Sequence, residues 1–179
     1  MTPKNKKLLV EREATILREV AKPVALKDIG TKKIGDIVAK MKKAMHAEDD
    51  GVAIAAPQVG AALRIFMVSG KAVAMSKKKN PDTEVLLNDL IFFNPEIIKA
   101  SKKKQKMEEG CLSLRYLYGF VPRHEKVTLR AYDENGKLVT LGASGLLAQI
   151  IQHETDHLNG VLFIDKAENV RDLPPETDV

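Results

Sequence analysis

Cysteine is nearly absent from this chain of 179 residues, Cys111 being the only one. An intramolecular disulfide is therefore excluded, and a reducing compartment fits the rest of the composition. Long apolar runs are missing too: none approaches the roughly 20 residues that a membrane-spanning helix needs. The opening Met1-Thr2-Pro3-Lys4-Asn5-Lys6-Lys7 lacks the apolar centre of a secretory signal, so no membrane association is expected and the expected location is the cytoplasm. Aromatic residues make up only 4%, and none interleaves with the lysine runs at Lys4, Lys6 and Lys7, at Lys77 to Lys79, or at Lys102 to Lys104 with Lys106. Without a base-stacking platform, sequence-specific nucleic-acid binding is not expected. The runs read as solvated loops, and the net charge of +5 permits weak attraction to a polyanion such as ribosomal RNA. No long Gly, Ser or Pro linker divides the chain, so residues 1–179 are expected to form one domain with a short basic N-terminal end and a Pro-containing tail from about residue 166.

What the chain does contain is two helical patterns and several short extended ones. Ile34, Ile37, Val38, Met41 and Met45 share one face at a 3.6-residue period, with lysines near the C-terminal end and Asp49-Asp50-Gly51 beyond it, which predicts a helix over 32–48. Leu63 to Val68 reads as a strand, residues 70–89 as a polar, mobile, lysine-rich loop, and Ile91-Phe92-Phe93 as extended again. Val127, Leu129 and Ala131 alternate with polar residues, Asp133-Glu134-Asn135-Gly136 supplies turn chemistry, and Leu138, Val139 and Leu141 continue as a partner strand, so a hairpin is predicted. A second helix is predicted over 145–158, with Ser144 as its cap and Asn159-Gly160 as its end. The expected class is α+β: short antiparallel strands and hairpins around a central helix, with a second amphipathic helix near the N-terminus.

That central helix carries His153-Glu154-Thr155-Asp156-His157. Four residues of helix turn about 400°, so the two imidazoles leave one face a turn apart while Glu154 sits about 100° around the axis. Leu146, Leu147, Ile150, Ile151 and Leu158 make the surroundings apolar, where two unpaired imidazoles would be costly. Two nitrogen ligands beside a carboxylate point to a metal used in hydrolysis. Such a site takes three protein ligands and leaves one position open, and Cys111, in Glu109-Gly110-Cys111-Leu112-Ser113, is the natural third. Gly110 permits tight backbone geometry there, and the N–H of Leu112 can be offered to a reacting oxygen. A further segment, Gly51 to Gly60, has small residues that let another chain approach its backbone and includes Gln58, whose amide can donate a hydrogen bond.

These three segments, in this order, resemble the motifs of the peptide deformylases, G-x-G-x-A-A-x-Q, E-G-C-L-S and Q-H-E-x-D-H. The similarity takes in Leu17 to Val24, Val121-Pro122-Arg123, Gly145 to Ala148 and Leu158 to Phe163, and so spans about residues 8–165. The resemblance implies a metallohydrolase that removes the formyl group from the N-terminal formylmethionine of nascent chains. It implies Cys111, His153 and His157 as ligands of one divalent ion, Fe²⁺ by preference with Zn²⁺, Ni²⁺ or Co²⁺ as substitutes. By the same resemblance Glu154 is the general base, and the Leu112 N–H and the Gln58 amide hold the oxyanion. The methionine pocket should be lined by Val52, Met107, Leu146 and Ile150, with substrate backbone pairing along Gly51, Val52 and Ala53 and Gly110 as a further substrate-binding residue. An Asp156–Arg123 pair is expected either to steady the helix or to be an ordinary surface pair.

Three residues depart from the pattern. Ala53 stands at the second motif glycine, so its methyl faces either the substrate backbone or a neighbouring strand; Gln149 takes a usually apolar position; and Arg115 replaces a frequent proline. The tail from about 166 contains Pro174-Pro175, which argues against ribosome docking through a long C-terminal helix. Two other readings compete. One is an H-E-x-x-H metallopeptidase with Glu168 as third ligand, and the other is a nascent-chain or ribosome-binding homologue that has lost turnover.

Overall fold

Apolar period and observed structure coincide first in α1, Lys32–His46, in a computed structural model that describes residues 8–76 and 88–174. Ile34, Met41 and Met45 are buried on its inner face, while Ile37 and Val38 are only partly covered. They pack on a five-stranded antiparallel sheet made of β1 (Ala53–Ala55), β2 (Ile65–Val68), β3 (Leu90–Ala100), β6 (Lys126–Tyr132) and β7 (Leu138–Ser144), in the order β1-β2-β3-β6-β7. Strand side chains alternate between faces, and β2 shows why all four of its residues can be apolar. Ile65 and Met67 meet α1, whereas Phe66 and Val68 meet the cluster around α3 (Gly145–Leu158). Helices therefore cover both faces of this part of the sheet. A fully buried side chain such as Phe66 contributes about 1.5–3 kcal/mol.

A second antiparallel sheet has three strands, β4 (Lys104–Gly110), β5 (Leu117–His124) and β8 (Glu168–Asp172), in the order β4-β5-β8. Leu17, Leu114, Leu117, Val121, Leu162 and Phe163 form the cluster associated with it. α3 touches both sheets, and one side chain ties it to β5: Gln152 accepts from the His124 N–H and donates to the His124 carbonyl, both at 3.0 Å.

Several expectations need correction. Ser144 occupies the N-cap position of α3, but its side chain makes no capping hydrogen bond. At the other end Asn159 caps the helix and Gly160 adopts φ 71°; a Cβ there would also lie 2.4 Å from the Arg18 carbonyl oxygen. Residues 70–76 of the expected loop form a third helix, α2 (Gly70–Ser76), with Ala72 and Val73 buried. Ser69 Oγ accepts from the Ala72 N–H and Asp89 from the Gly70 N–H, so side chains satisfy donors that a short helix leaves open. The rest of that excursion through residue 87, and Lys4, Lys6, Lys7 and Lys77 to Lys79, lie outside the described residues. Lys104 and Lys106 belong to β4, an edge strand whose exposed lysines discourage pairing with another chain. Among the described residues no helix is long and apolar enough to cross a membrane.

Candidate active site

One turn of α3 separates His153 from His157, and their rings meet edge-on with centroids 4.9 Å apart. Cys111 directly follows β4, and its Sγ lies 3.2 Å from His157 Nε2. Ligand atoms of Cys111, His153 and His157 all fall within 4.8 Å of one another. Two elements distant in sequence thus converge on one point.

His153 is oriented by a residue that the sequence reading did not single out for this role. Glu109 accepts from His153 Nδ1 at 2.9 Å, which leaves Nε2 as the nitrogen able to face Cys111. Glu109 is itself held by Arg123, whose Nε and Nη2 donate to its two oxygens at 2.7 and 2.8 Å. The same guanidinium donates through Nη1 to Asp156 at 2.6 Å, and Asp156 also accepts from Lys166 at 2.7 Å. Arg123 is 3% exposed and Glu109 5%, so this is a buried network and not the surface pair that was the alternative for Asp156 and Arg123. Burial pushes the Glu109 carboxyl up, but the bonds from Arg123 and His153 outweigh it and hold the group at about 2.

Electrostatics within the cluster follow the same competition. Burial raises the Cys111 thiol, yet the imidazoles of His157 and His153 bring it down to about 5, favouring the thiolate that a cation binds. For Glu154 burial wins over the opposing imidazoles and lifts the carboxyl to about 7, a value suited to taking and returning protons near neutrality. Glu154 Oε2 and His157 Nδ1 are buried with no hydrogen-bond partner among the described residues. The orphaned Glu154 oxygen, beside a thiol that meets His157 through Nε2, fits a divalent cation with its associated water.

Gln58 has its amide orientation fixed by three partners. Its Oε1 accepts from the Ala55 N–H at 2.8 Å, and its Nε2 donates to Ser113 Oγ at 3.2 Å and toward Cys111 Sγ at 3.5 Å. The donor end therefore faces the cluster. A cavity of about 230 Å³ opens here, lined by Val52, Ala53, Gln58, Gly110, Cys111, Leu112, Leu146, Ile150, His153 and Glu154 among others. Of the expected substrate-binding residues, Gly51 and Met107 do not line it. Met107 sits opposite Val121 on the second sheet. Gly51 lies just outside, where a Cβ would be 2.0 Å from the Met45 carbonyl oxygen, so only glycine fits this turn.

The three departures find partners. Gln149 lines the cavity and donates to the Glu108 carbonyl oxygen at 2.8 Å, linking α3 to β4. Ala53 is 7% exposed and packs in the same cluster as Phe66 and Val68, while also lining the cavity. Arg115 ion-pairs with Asp50 and Glu48. The competing ligand Glu168 lies on β8, exposed and paired with Lys106, and does not join the metal-binding group.

Known proteins resemble this chain over most of its length. Residues 6–172 match the family described as polypeptide deformylase. The chain is 41% identical over 163 residues to a peptide deformylase of Symbiobacterium thermophilum, covering 91% of this chain and 67% of that protein. With a peptide deformylase of Carboxydothermus hydrogenoformans it shares 40% identity over 162 residues, 90% of this chain and 93% of the relative. A Met-Ala-Ser-bound crystal structure of class I type b peptide deformylase from Acinetobacter baumannii superposes with a TM-score of 0.75 at 33% identity, covering 88% of this chain and 96% of that one. The chain belongs to the polypeptide deformylase family.

Proposed function

We propose that this chain hydrolyses the formyl group from the N-terminal formylmethionine of newly made polypeptides, releasing formate and a free amine. The observation that carries this reading is the convergence of Cys111, His153 and His157 beside a buried Glu154 in a largely apolar cleft.

Cys111 through Sγ and His153 and His157 through Nε2 would hold the ion, which we take to be Fe²⁺, with Zn²⁺, Ni²⁺ or Co²⁺ as working substitutes. When bound it supplies Lewis acidity, polarising the formyl oxygen and making water nucleophilic near neutral pH. Glu154 then takes the water's proton as the oxygen attacks the formyl carbon, and returns a proton to the departing amine as the C–N bond breaks. The Gln58 amide, locked with its N–H groups toward the cluster, and the Leu112 backbone N–H are the donors for the oxyanion. Val52, Leu146 and Ile150 line the cleft with apolar surface suited to a methionine side chain. β1 is the terminal strand of its sheet, so substrate backbone can add alongside residues 51–53. The exposed lysines of β4 supply basic surface for transient contact with the ribosome in the cytoplasm.

The test is formate release from formyl-Met-Ala-Ser by ferrous-loaded protein. Stoichiometric formate and free Met-Ala-Ser are expected. Cleavage at the Met-Ala bond instead would establish a peptidase, and binding without turnover would establish a non-catalytic homologue.

A further inference from the structure

Arg115, the residue that replaces the proline frequent in relatives, closes an ion bridge across the cleft. Its Nη1 donates to both carboxylate oxygens of Asp50, at 3.1 and 3.0 Å, and its Nη2 donates to Glu48 at 2.5 Å. Arg115 belongs to the segment after Cys111 and Asp50 to the turn before β1, and both line the cavity. Their side chains are 33% and 62% exposed, which puts the bridge at the mouth and not at the floor. Two carboxylates against one guanidinium leave the trio with a net charge of −1. The neighbouring Lys71 reaches the Asp49 backbone carbonyl, at 3.4 Å, and so gives the carboxylates of the trio no direct partner. Removing Arg115 would double the trio's negative charge.

We infer that Arg115 is a specificity-determining residue: by engaging Asp50 and Glu48 it lets the cleft accept an acidic side chain on the residue that follows formylmethionine. The inference rests on the deformylase reading and on substrate running beside residues 51–53. With the methionine side chain against Val52, Leu146 and Ile150, the next residue leaves past Asp50 and Arg115. A proline at position 115 would leave both carboxylates to repel a glutamate or aspartate there.

Half-exposed charge pairs change an equilibrium by about 1.5- to 5-fold each. Loss of Arg115 acts in opposite senses on lysine and on glutamate in the substrate, so their ratio should move by roughly the square of that factor. The assay compares kcat/KM for formyl-Met-Lys-Ser, formyl-Met-Glu-Ser and formyl-Met-Ala-Ser. Wild type should prefer the lysine peptide over the glutamate peptide by no more than about threefold, on the same scale. Arg115→Ala should raise that preference about 2- to 25-fold, Arg115→Lys should restore most of the balance, and Asp50→Asn should move the ratio the other way. The shift should fade at 1 M salt, where screening acts within about 3 Å. An unchanged ratio in Arg115→Ala, or an equal loss on all three peptides, would show that Arg115 only braces the loop and would overturn the inference. Failure of wild type to release formate from formyl-Met-Ala-Ser is a separate result, sinking the deformylase reading itself.

Discussion

Replacing Glu109 by glutamine tests whether a buried carboxylate bonded to a metal-ligating imidazole sets both stability and metal affinity. In the native network one oxygen of Glu109 accepts from Arg123 Nε, and the other accepts from Arg123 Nη2 and His153 Nδ1. Glutamine offers one carbonyl oxygen and one NH₂. Turned to keep two of these bonds, it sets its NH₂ against Arg123 Nε, donor facing donor; turned the other way, it loses two. Either orientation leaves a buried guanidinium N–H unsatisfied, at about 1–3 kcal/mol, and removes one of the charges opposing Arg123. Removing one partner of a buried pair altogether costs about 3–5 kcal/mol. Because Arg123 keeps Asp156, we expect about 3 kcal/mol, the lower end of that range. For a chain of this length, each kcal/mol corresponds to about 2–4 °C, so the melting temperature should fall by about 6–12 °C. His153 also loses the partner that fixes its tautomer and ring orientation, and metal affinity should drop about 10- to 100-fold. Thermal melts of the metal-free protein and Co²⁺ or Zn²⁺ titration measure the two effects independently. A melting temperature within about 2 °C of wild type, together with an affinity within about threefold, would refute the argument.

Glu154→Gln should keep metal content and fold yet lose on the order of 10²-fold or more in turnover, since an amide cannot accept the water's proton; turnover within about threefold of wild type would exclude Glu154 as base. Cys111→Ala should abolish stoichiometric metal binding, and a variant that kept its ion would reopen the case for another third ligand. Ala53→Gly should cost about 0.5–1 kcal/mol, because a buried methyl is lost and the strand gains freedom; a melting temperature unchanged or raised, with a lower KM for formyl-Met peptides, would show instead that the methyl obstructs the groove. Peroxide should inactivate the iron-loaded protein faster than the nickel-loaded one, as Fe²⁺ can be oxidised and Cys111 with it, and equal rates would count against redox chemistry at the site.

The parts legible in the sequence are those whose causes are local. α3 spans Gly145–Leu158, as the apolar period and Asn159-Gly160 foretell, and a four-residue spacing alone places His153 and His157 on one face. The hairpin of β6 and β7 is equally local, with turn residues between two alternating runs. α2 was hidden because Gly70-Lys71 opens a segment that then runs into lysines, and its donors are met by Ser69 and by Asp89, 19 residues from Gly70. β4 was hidden because an edge strand studded with lysine reads as a loop. The role of Glu109 is not legible in its motif: its partners Arg123 and His153 lie 14 and 44 residues away, and pairing across such distances leaves no periodic trace.

The seam between the two sheets is crossed at the point where the ligands meet. Cys111 hangs from the end of the three-stranded sheet and His157 from a helix packed on the five-stranded one, 46 residues apart along the chain. A bound ion would therefore act as a removable cross-link, closing a loop that a covalent bridge of equal span would stabilise by about 4 kcal/mol through the unfolded chain's lost freedom. With a single cysteine, this protein has no disulfide to do that work. Its only thiol serves as one half of a tie whose other half is imidazole, so stripping the ion should loosen the join between sheets before it loosens either sheet, and protease cuts should collect in the segment that follows Cys111.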